Sequence, residues 1–293
     1  MKICRFGENR FGVVTADGVV DVTEVFAALP ASGYPFPRHD VMIAALPDLL
    51  PKLAKFVEGA DVIPLDQIKL DLPVANPGKL VAAPVNYAKH LQEVRDQAEL
   101  NHANEAHMRQ IKDIGLFLKA NSSLIGPGEA VEISRPDRRN DHEIELAVVI
   151  GKTGKNISAA DALDYVAAYT IGLDMTVRGP EDRSFRKSLD TYSVLGPWLV
   201  TADEIPDPAT LGFELTVNGE TRQKAHTSDL VLSVPELIEY ASSFYTLHPG
   251  DVIFTGTPEG VGQVHAGDTI HARIDGIGEL TVQVTGVAQA KAG

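Results

Sequence analysis

Residues 141–151 read DHEIELAVVIG. The run from Ile144 to Ile150 is apolar and rich in β-branched residues, so a strand is expected over 143–150. Strand side chains alternate between faces. Glu143 and Glu145 therefore point one way, and Ile144 and Leu146 the other. A third acid, Asp174, sits in TIGLDMT (170–176), again beside apolar and β-branched neighbours. Acids in such settings need partners, because burying a bare carboxylate is costly. One divalent cation would serve all three, since Mg²⁺ and Ca²⁺ favour oxygen ligands and Mg²⁺ keeps several waters when few carboxylates bind it. The spacing alone fits a solvated strand face with ordinary acids equally well.

Around this run the chain alternates short apolar segments with turns. ICRFG (3–7) and FGVVTADGVVDVT (11–23), with a turn at Ala16-Asp17-Gly18, read as a small β-rich unit. A helix is expected over 41–57, where Leu46, Leu49, Leu50 and Leu53 fall near helical spacing. Pro73 and Asn76-Pro77-Gly78 mark a boundary between a small unit, 1–76, and a larger one, 77–293. KLVAAPV (79–85) reads as a strand, and 87–112 as a polar, solvated helical segment. SAADALDYVAAYTI (158–171) has helical periodicity behind a Ser/Asp cap pattern. A strand over 211–217 ends at Asn218-Gly219, a hairpin signal. A helix over 233–246 precedes strands in DVIFTGTP, DTIHARID and ELTVQVTGV. Many strands with few helices imply an α+β, mostly β fold.

The bulk properties narrow the partners. A net charge of −14 argues against nucleic acid and anionic membrane. The single cysteine, Cys4, excludes an internal disulfide and a cysteine-based zinc cage. No apolar run approaches the ~20 residues that span a bilayer, and the amino terminus lacks the apolar core of a signal peptide. A cytoplasmic protein is the expectation.

Further motifs carry chemistry. In NYAKHLQE (86–93), His90 and Glu93 are helix neighbours, so the carboxylate could orient the imidazole as a general base for water. A surface His–Glu pair fits the same pattern. His102 and His107 read as surface residues. Lys119, Arg178, Arg186 and Lys187 are candidates for binding a substrate carboxylate or steadying an oxyanion. GDVIFTGTPEGVG (250–262) is dense in Gly, Thr and Pro, a composition that exposes backbone N–H groups to an anion. It lacks the lysine of a nucleotide-binding loop.

Together NYAKHLQE, FLKANSSLIGPG, DHEIELAVVIG, DALDYVAAYTIGLDMTVR, RKSLDTYSVLGPW, VNGETRQ and GDVIFTGTPEGVG resemble the fumarylacetoacetate hydrolase family, in the family's order, over about 79–287. The resemblance implies a catalytic domain built on a rolled, mixed β-sheet, preceded by a small β-rich domain and assembled as a homodimer. It implies Glu143, Glu145 and Asp174 as ligands of a divalent cation, normally Mg²⁺ or Mn²⁺ and sometimes Ca²⁺. It matches His90 and Glu93 to a catalytic dyad on a lid, Lys187 to a lysine beside the metal, and Thr257 to a threonine that contacts the substrate carboxylate. Arg178 follows the metal aspartate as in relatives, and Lys119 joins it as a substrate-binding candidate. Two departures stand out. Gly179-Pro180-Glu181-Asp182 replaces an aromatic-Gln pair, and the lid is long, with about 25 residues between Glu93 and Lys119.

The implied activity is hydrolysis of a C–C bond in a 1,3-diketo, acylpyruvate-like acid through a metal-bound enolate, as in the catabolism of aromatic compounds. Decarboxylation of a β-keto acid, or a keto-enol or double-bond isomerisation, would need only the same enolate. A non-catalytic metal- or anion-binding module is the alternative of a different class.

Overall fold

The computed structural model describes residues 1–27, 29, 31–102 and 108–287. His107 and 288–293 lie outside these described residues. The Ile144–Ile150 strand sits inside an eleven-stranded sheet. It pairs antiparallel with Val166–Asp174 on one side and with Val252–Phe254 on the other. Beyond Val166–Asp174 lies Ser193–Thr201. Beyond Val252–Phe254 lie Leu80–Ala82, parallel to it, and Phe117–Lys119, antiparallel. The sheet is therefore mixed, as expected.

Both faces of the Ile144–Ile150 strand are buried. Ile144, Leu146, Val148 and Ile150 pack into an apolar cluster that contains Leu215, Ile270 and Val282 of a separate five-stranded sheet. Ala147 and Val149 pack the other way, with Ile43, Leu46 and Leu53 of the Val41–Phe56 helix. Asp40 caps that helix by accepting from the N–H groups of Met42 and Ile43 at 3.0 and 3.1 Å. Its two internal prolines, Pro47 and Pro51, lie on its exposed face.

The amino-terminal strands Lys2–Phe6, Arg10–Val14 and Val19–Asp21 continue the large sheet, because Lys2–Phe6 pairs antiparallel with Ser193–Thr201. Residues 1–76 thus share a sheet and an apolar cluster with the rest of the chain.

Two local expectations change. The 158–171 segment is not a helix. A short 3₁₀ turn, Ala162–Tyr165, leads into the Val166–Asp174 strand. Val166, Tyr169, Thr170 and Ile171 suit a strand, and a place inside the sheet overrides the chance helical spacing. The 87–112 segment is not one solvated helix either. It breaks into Ala88–Asp96 and Ala98–Asn101, ahead of Ile111–Ile114. Leu91, Val94 and Leu100 seat it against Val85 and Val261. The hairpin at Asn218-Gly219 forms as read, with positive φ at both residues. The helix Val234–Phe244 starts with a Ser233–Glu236 capping box. No helix among the described residues is long and apolar enough to cross a membrane.

Candidate metal centre and active site

Strand register brings the three acids together. Glu145 lies opposite Gly172, Ile144 opposite Leu173, and the Asp174 N–H donates to the Glu143 carbonyl at 2.9 Å. Glu143, Glu145 and Asp174 therefore end adjacent strands on one face. All three are buried, and one carboxylate oxygen from each lies within 4.8 Å of the others. Glycine at 172 is required beside Glu145, since a Cβ there would meet the Phe254 ring at 2.7 Å.

Basic side chains surround two of the acids. Lys187 Nζ donates to Glu143 Oε2 and Asp174 Oδ2, both at 2.6 Å. Lys119 Nζ pairs with Asp174 Oδ1 and donates to the Tyr192 carbonyl at 2.8 Å. Arg178 donates to Glu143 Oε1 and to Asp141 Oδ2, each at 2.8 Å. Burial works to raise the Glu143 carboxyl, but Lys187 and Arg178 outweigh it and hold it well below the usual range. Burial lowers the Lys119 ammonium despite Asp174 beside it.

Glu145 is different. It is 2% exposed, yet its one hydrogen bond is from the Gly256 N–H at 2.6 Å, and no basic group among the described residues pairs with it. Burial, then the neighbouring Asp174, pushes its carboxyl well above the usual range. A buried carboxylate without a cation, next to two others, is the site a divalent ion would complete. The donor set is all oxygen, which suits a hard cation. These residues fit such an ion.

His90, the imidazole of the dyad, lines the same cavity as Glu143, Glu145, Asp174, Lys187 and Thr257. His90 is buried in the Ala88–Asp96 helix, so it is not a surface histidine. Its Nδ1 lies 2.9 Å from Glu93 Oε2. The carboxylate only accepts, so Nδ1 carries the proton and Nε2 is left as the basic nitrogen. Glu93 is fixed in turn by the Gly260 N–H at 3.0 Å. The glycine-rich run thus cradles anions, and those anions are the protein's own Glu145 and Glu93. Gly256 and Gly260 have φ near +100° and +90°. A Cβ would meet Asn86 Cβ at 2.7 Å or the Arg222 carbonyl at 2.2 Å.

Thr257 lines the cavity, but its hydroxyl donates to the Ile144 carbonyl at 2.9 Å and accepts from Gln223 Nε2 at 2.8 Å. His102 is half-buried, with Nε2 out of contact with any acceptor or donor among the described residues. Sequence reasoning passed over Asp141, whose carboxylate anchors Arg139 and Arg178 at 2.7 and 2.8 Å. The D-x-E-x-E alternation of 141–145 carried that signal. It also passed over Arg183, which lines the cavity with Arg186. Burial and the nearby Arg178 and Arg183 lower the Arg186 guanidinium to about 10.

The fumarylacetoacetate (FAA) hydrolase C-terminal family matches residues 79–285. The chain is 57% identical over 287 residues to a maleylpyruvate hydrolase of Aquipseudomonas alcaligenes, covering 98% of this chain and 100% of that one. It is 34% identical over 284 residues to a mitochondrial oxaloacetate tautomerase of Rattus norvegicus, covering 91% and 84%. The solved structure of maleylpyruvate hydrolase from Sphingobium sp. SYK-6, in complex with manganese (II) ion and pyruvate, matches with a TM-score of 0.83 at 42% identity, over 98% and 99% of the two chains.

Proposed function

The chain belongs to the fumarylacetoacetate hydrolase family, and from that premise we propose that it hydrolyses a C–C bond in an acylpyruvate, with maleylpyruvate the first compound to test. The observation that carries this is the meeting of the Glu143–Glu145–Asp174 ladder and His90, itself held by Glu93, in one cavity. Glu143, Glu145 and Asp174 would hold a divalent cation, proposed to be Mg²⁺, with Mn²⁺ as a substitute. When bound, such an ion supplies Lewis-acid polarisation of the substrate's oxygens and a template for its orientation.

The chain's own groups do the rest. His90 Nε2 takes a proton from water, and Glu93 stabilises the imidazolium through Nδ1. The water oxygen bonds to the distal carbonyl carbon. Lys187 has three N–H donors and engages two carboxylates, so one donor is left for the developing alkoxide. The C–C bond on the pyruvyl side then breaks. Its electron pair stays on the pyruvyl carbon, which recovers the proton from His90. Pyruvate and a second acid leave. Arg178 acts by orienting Glu143, and Lys119 by orienting Asp174. Thr257 reaches a substrate carboxylate by exchanging its bond to Ile144.

The oxaloacetate tautomerase among the relatives favours a second reading, keto-enol exchange, which needs the same cation and base without C–C cleavage. One experiment separates them. Chelated, Mg²⁺-loaded and Mn²⁺-loaded enzyme, with Glu145→Ala and His90→Ala, is assayed for pyruvate release from acylpyruvates and for oxaloacetate enol decay. Metal-dependent pyruvate release is expected, lowered on the order of 10³-fold in each variant. If both variants keep wild-type turnover, the scheme is wrong. Enol decay without pyruvate release favours the tautomerase reading.

A further inference from the structure

We propose that Arg183 and Arg186 form a clamp for a second carboxylate, at the acyl end of the substrate, which makes the enzyme selective for dianionic acylpyruvates. This rests on the hydrolase reading above but concerns residues that reading does not use. The two arginines flank a single helical turn, Arg183–Arg186, whose start is capped by Asp182 accepting from the Ser184 N–H at 2.8 Å. Residues three apart on a helix share a face, and both guanidinium-bearing side chains line the catalytic cavity. Phe185, between them, turns outward and is 53% exposed.

Neither arginine has a carboxylate partner among the described residues. Arg186 is 3% exposed, its Nε donates to the Glu181 carbonyl at 2.9 Å, and its Nη1 is buried without an acceptor. The adjacent acids are engaged elsewhere. Glu181 accepts from Arg138 at 3.0 and 2.8 Å, and Asp182 caps the turn. Leaving a buried charged donor without its bond is costly, and two like charges on one cavity add to the cost. The cation centre does not explain them, because Lys119, Lys187 and Arg178 already pair with Glu143 and Asp174.

An anion from the substrate resolves both problems. Guanidinium groups match carboxylates with paired, charge-assisted hydrogen bonds. The pyruvyl carboxylate belongs with the reacting centre, so the arginines call for a carboxylate at the other end. Val94 and Leu100, which also line the cavity, suit a short hydrocarbon spacer between the two.

The test compares maleylpyruvate, which carries the distal carboxylate, with acetylpyruvate, which lacks it. Wild type, Arg183→Gln and Arg186→Gln are assayed for kcat/KM on each. The preference for maleylpyruvate over acetylpyruvate should fall about 30-fold in each variant. A preference kept in either variant overturns the clamp and leaves the hydrolase reading in place. Arg183 is only partly buried, so its variant decides the matter if Arg186→Gln does not fold. If the wild type cleaves neither acid, the hydrolase reading fails. Calorimetric titration of the same two acids then decides the clamp: tighter binding of the dianion, lost in the variants, supports it, and equal binding overturns it.

Discussion

The carboxylate half of the cavity is held by strand register, whereas the half that carries His90, Arg183 and Arg186 is held by short helices and turns. Glu145 and Asp174 stand on paired strands that are buried on both faces, and Glu143 directly precedes the first of them, its carbonyl accepting from the Asp174 N–H. They cannot move apart without breaking the sheet. His90 depends on the Ala88–Asp96 helix and a single glycine amide, and the arginines on one helical turn. The contrast suggests a division of labour. In the proposed scheme, the residues that would hold the cation rest on the part least open to change. The choice of acid rests on the part where a substitution disturbs few other contacts.

Glu143→Gln should give the largest effect. The substitution leaves Lys187 with only Asp174, and Arg178 with only Asp141. Removing one partner from a buried ion pair costs about 3–5 kcal/mol. A lowered denaturant midpoint in the metal-free protein, with loss of divalent-cation affinity by calorimetry, is the expected result. A variant with wild-type midpoint and affinity would remove the sheet half's claim to be the rigid centre.

Gly260→Ala should act on the other half alone. Its φ of about +90° disfavours alanine, and the new Cβ would press on the Arg222 carbonyl. The amide that fixes Glu93 would shift, and with it His90. Turnover should fall about tenfold or more, as an imperfectly aligned base loses part of its contribution, while cation affinity stays near the wild type. If affinity falls in step with turnover, the two halves are not separable.

This contrast also sets what could be read from the chain itself. The sheet half was legible because period-2 patterning makes alternate acids face one way, and Glu143-Ile144-Glu145-Leu146 shows that alternation before the continuous apolar run 147–150 of a strand buried on both faces. The Val166–Asp174 strand was misread as part of a helix because VAAY suits a helix until its neighbours bury both faces. In the turn half, the type of residue was visible but not its place. Nothing local distinguishes His90 from a surface histidine, since its burial comes from contacts of its helix and flanks with Val85, Val261 and the cavity. Arg183 drew no reading at all, because its place beside the cavity comes from the fold and not from its neighbours in sequence.

The bond between Glu181 and Arg138, far away in sequence, allows the finest test of the comparison. The Arg138 guanidinium lies across Gly179, where a Cβ would fall 1.5 Å from its Nη2, and ties Glu181 to the Arg178 carbonyl. It thereby sets the path of the loop that delivers Arg183 and Arg186. Glu181 is substantially exposed, so water screens the pair and its worth is small. The Arg138 hydrogen bond holds the Glu181 carboxyl below its ordinary value. A depressed carboxyl favours the tie above the ordinary carboxylate range, and that advantage is lost as pH falls through the lowered value. At pH 7 the tie is intact. Glu181→Gln keeps an acceptor but removes the charge, so KM for a dianionic acylpyruvate should rise no more than about threefold, with kcat and cation affinity retained. The gap between variant and wild type should narrow as pH falls toward that lowered value. A fall in kcat larger than the rise in KM would mean that strain in this loop reaches the carboxylate ladder through Arg178, whose side chain touches Glu143 and whose carbonyl Arg138 holds. The division between the two halves would then fail at that residue.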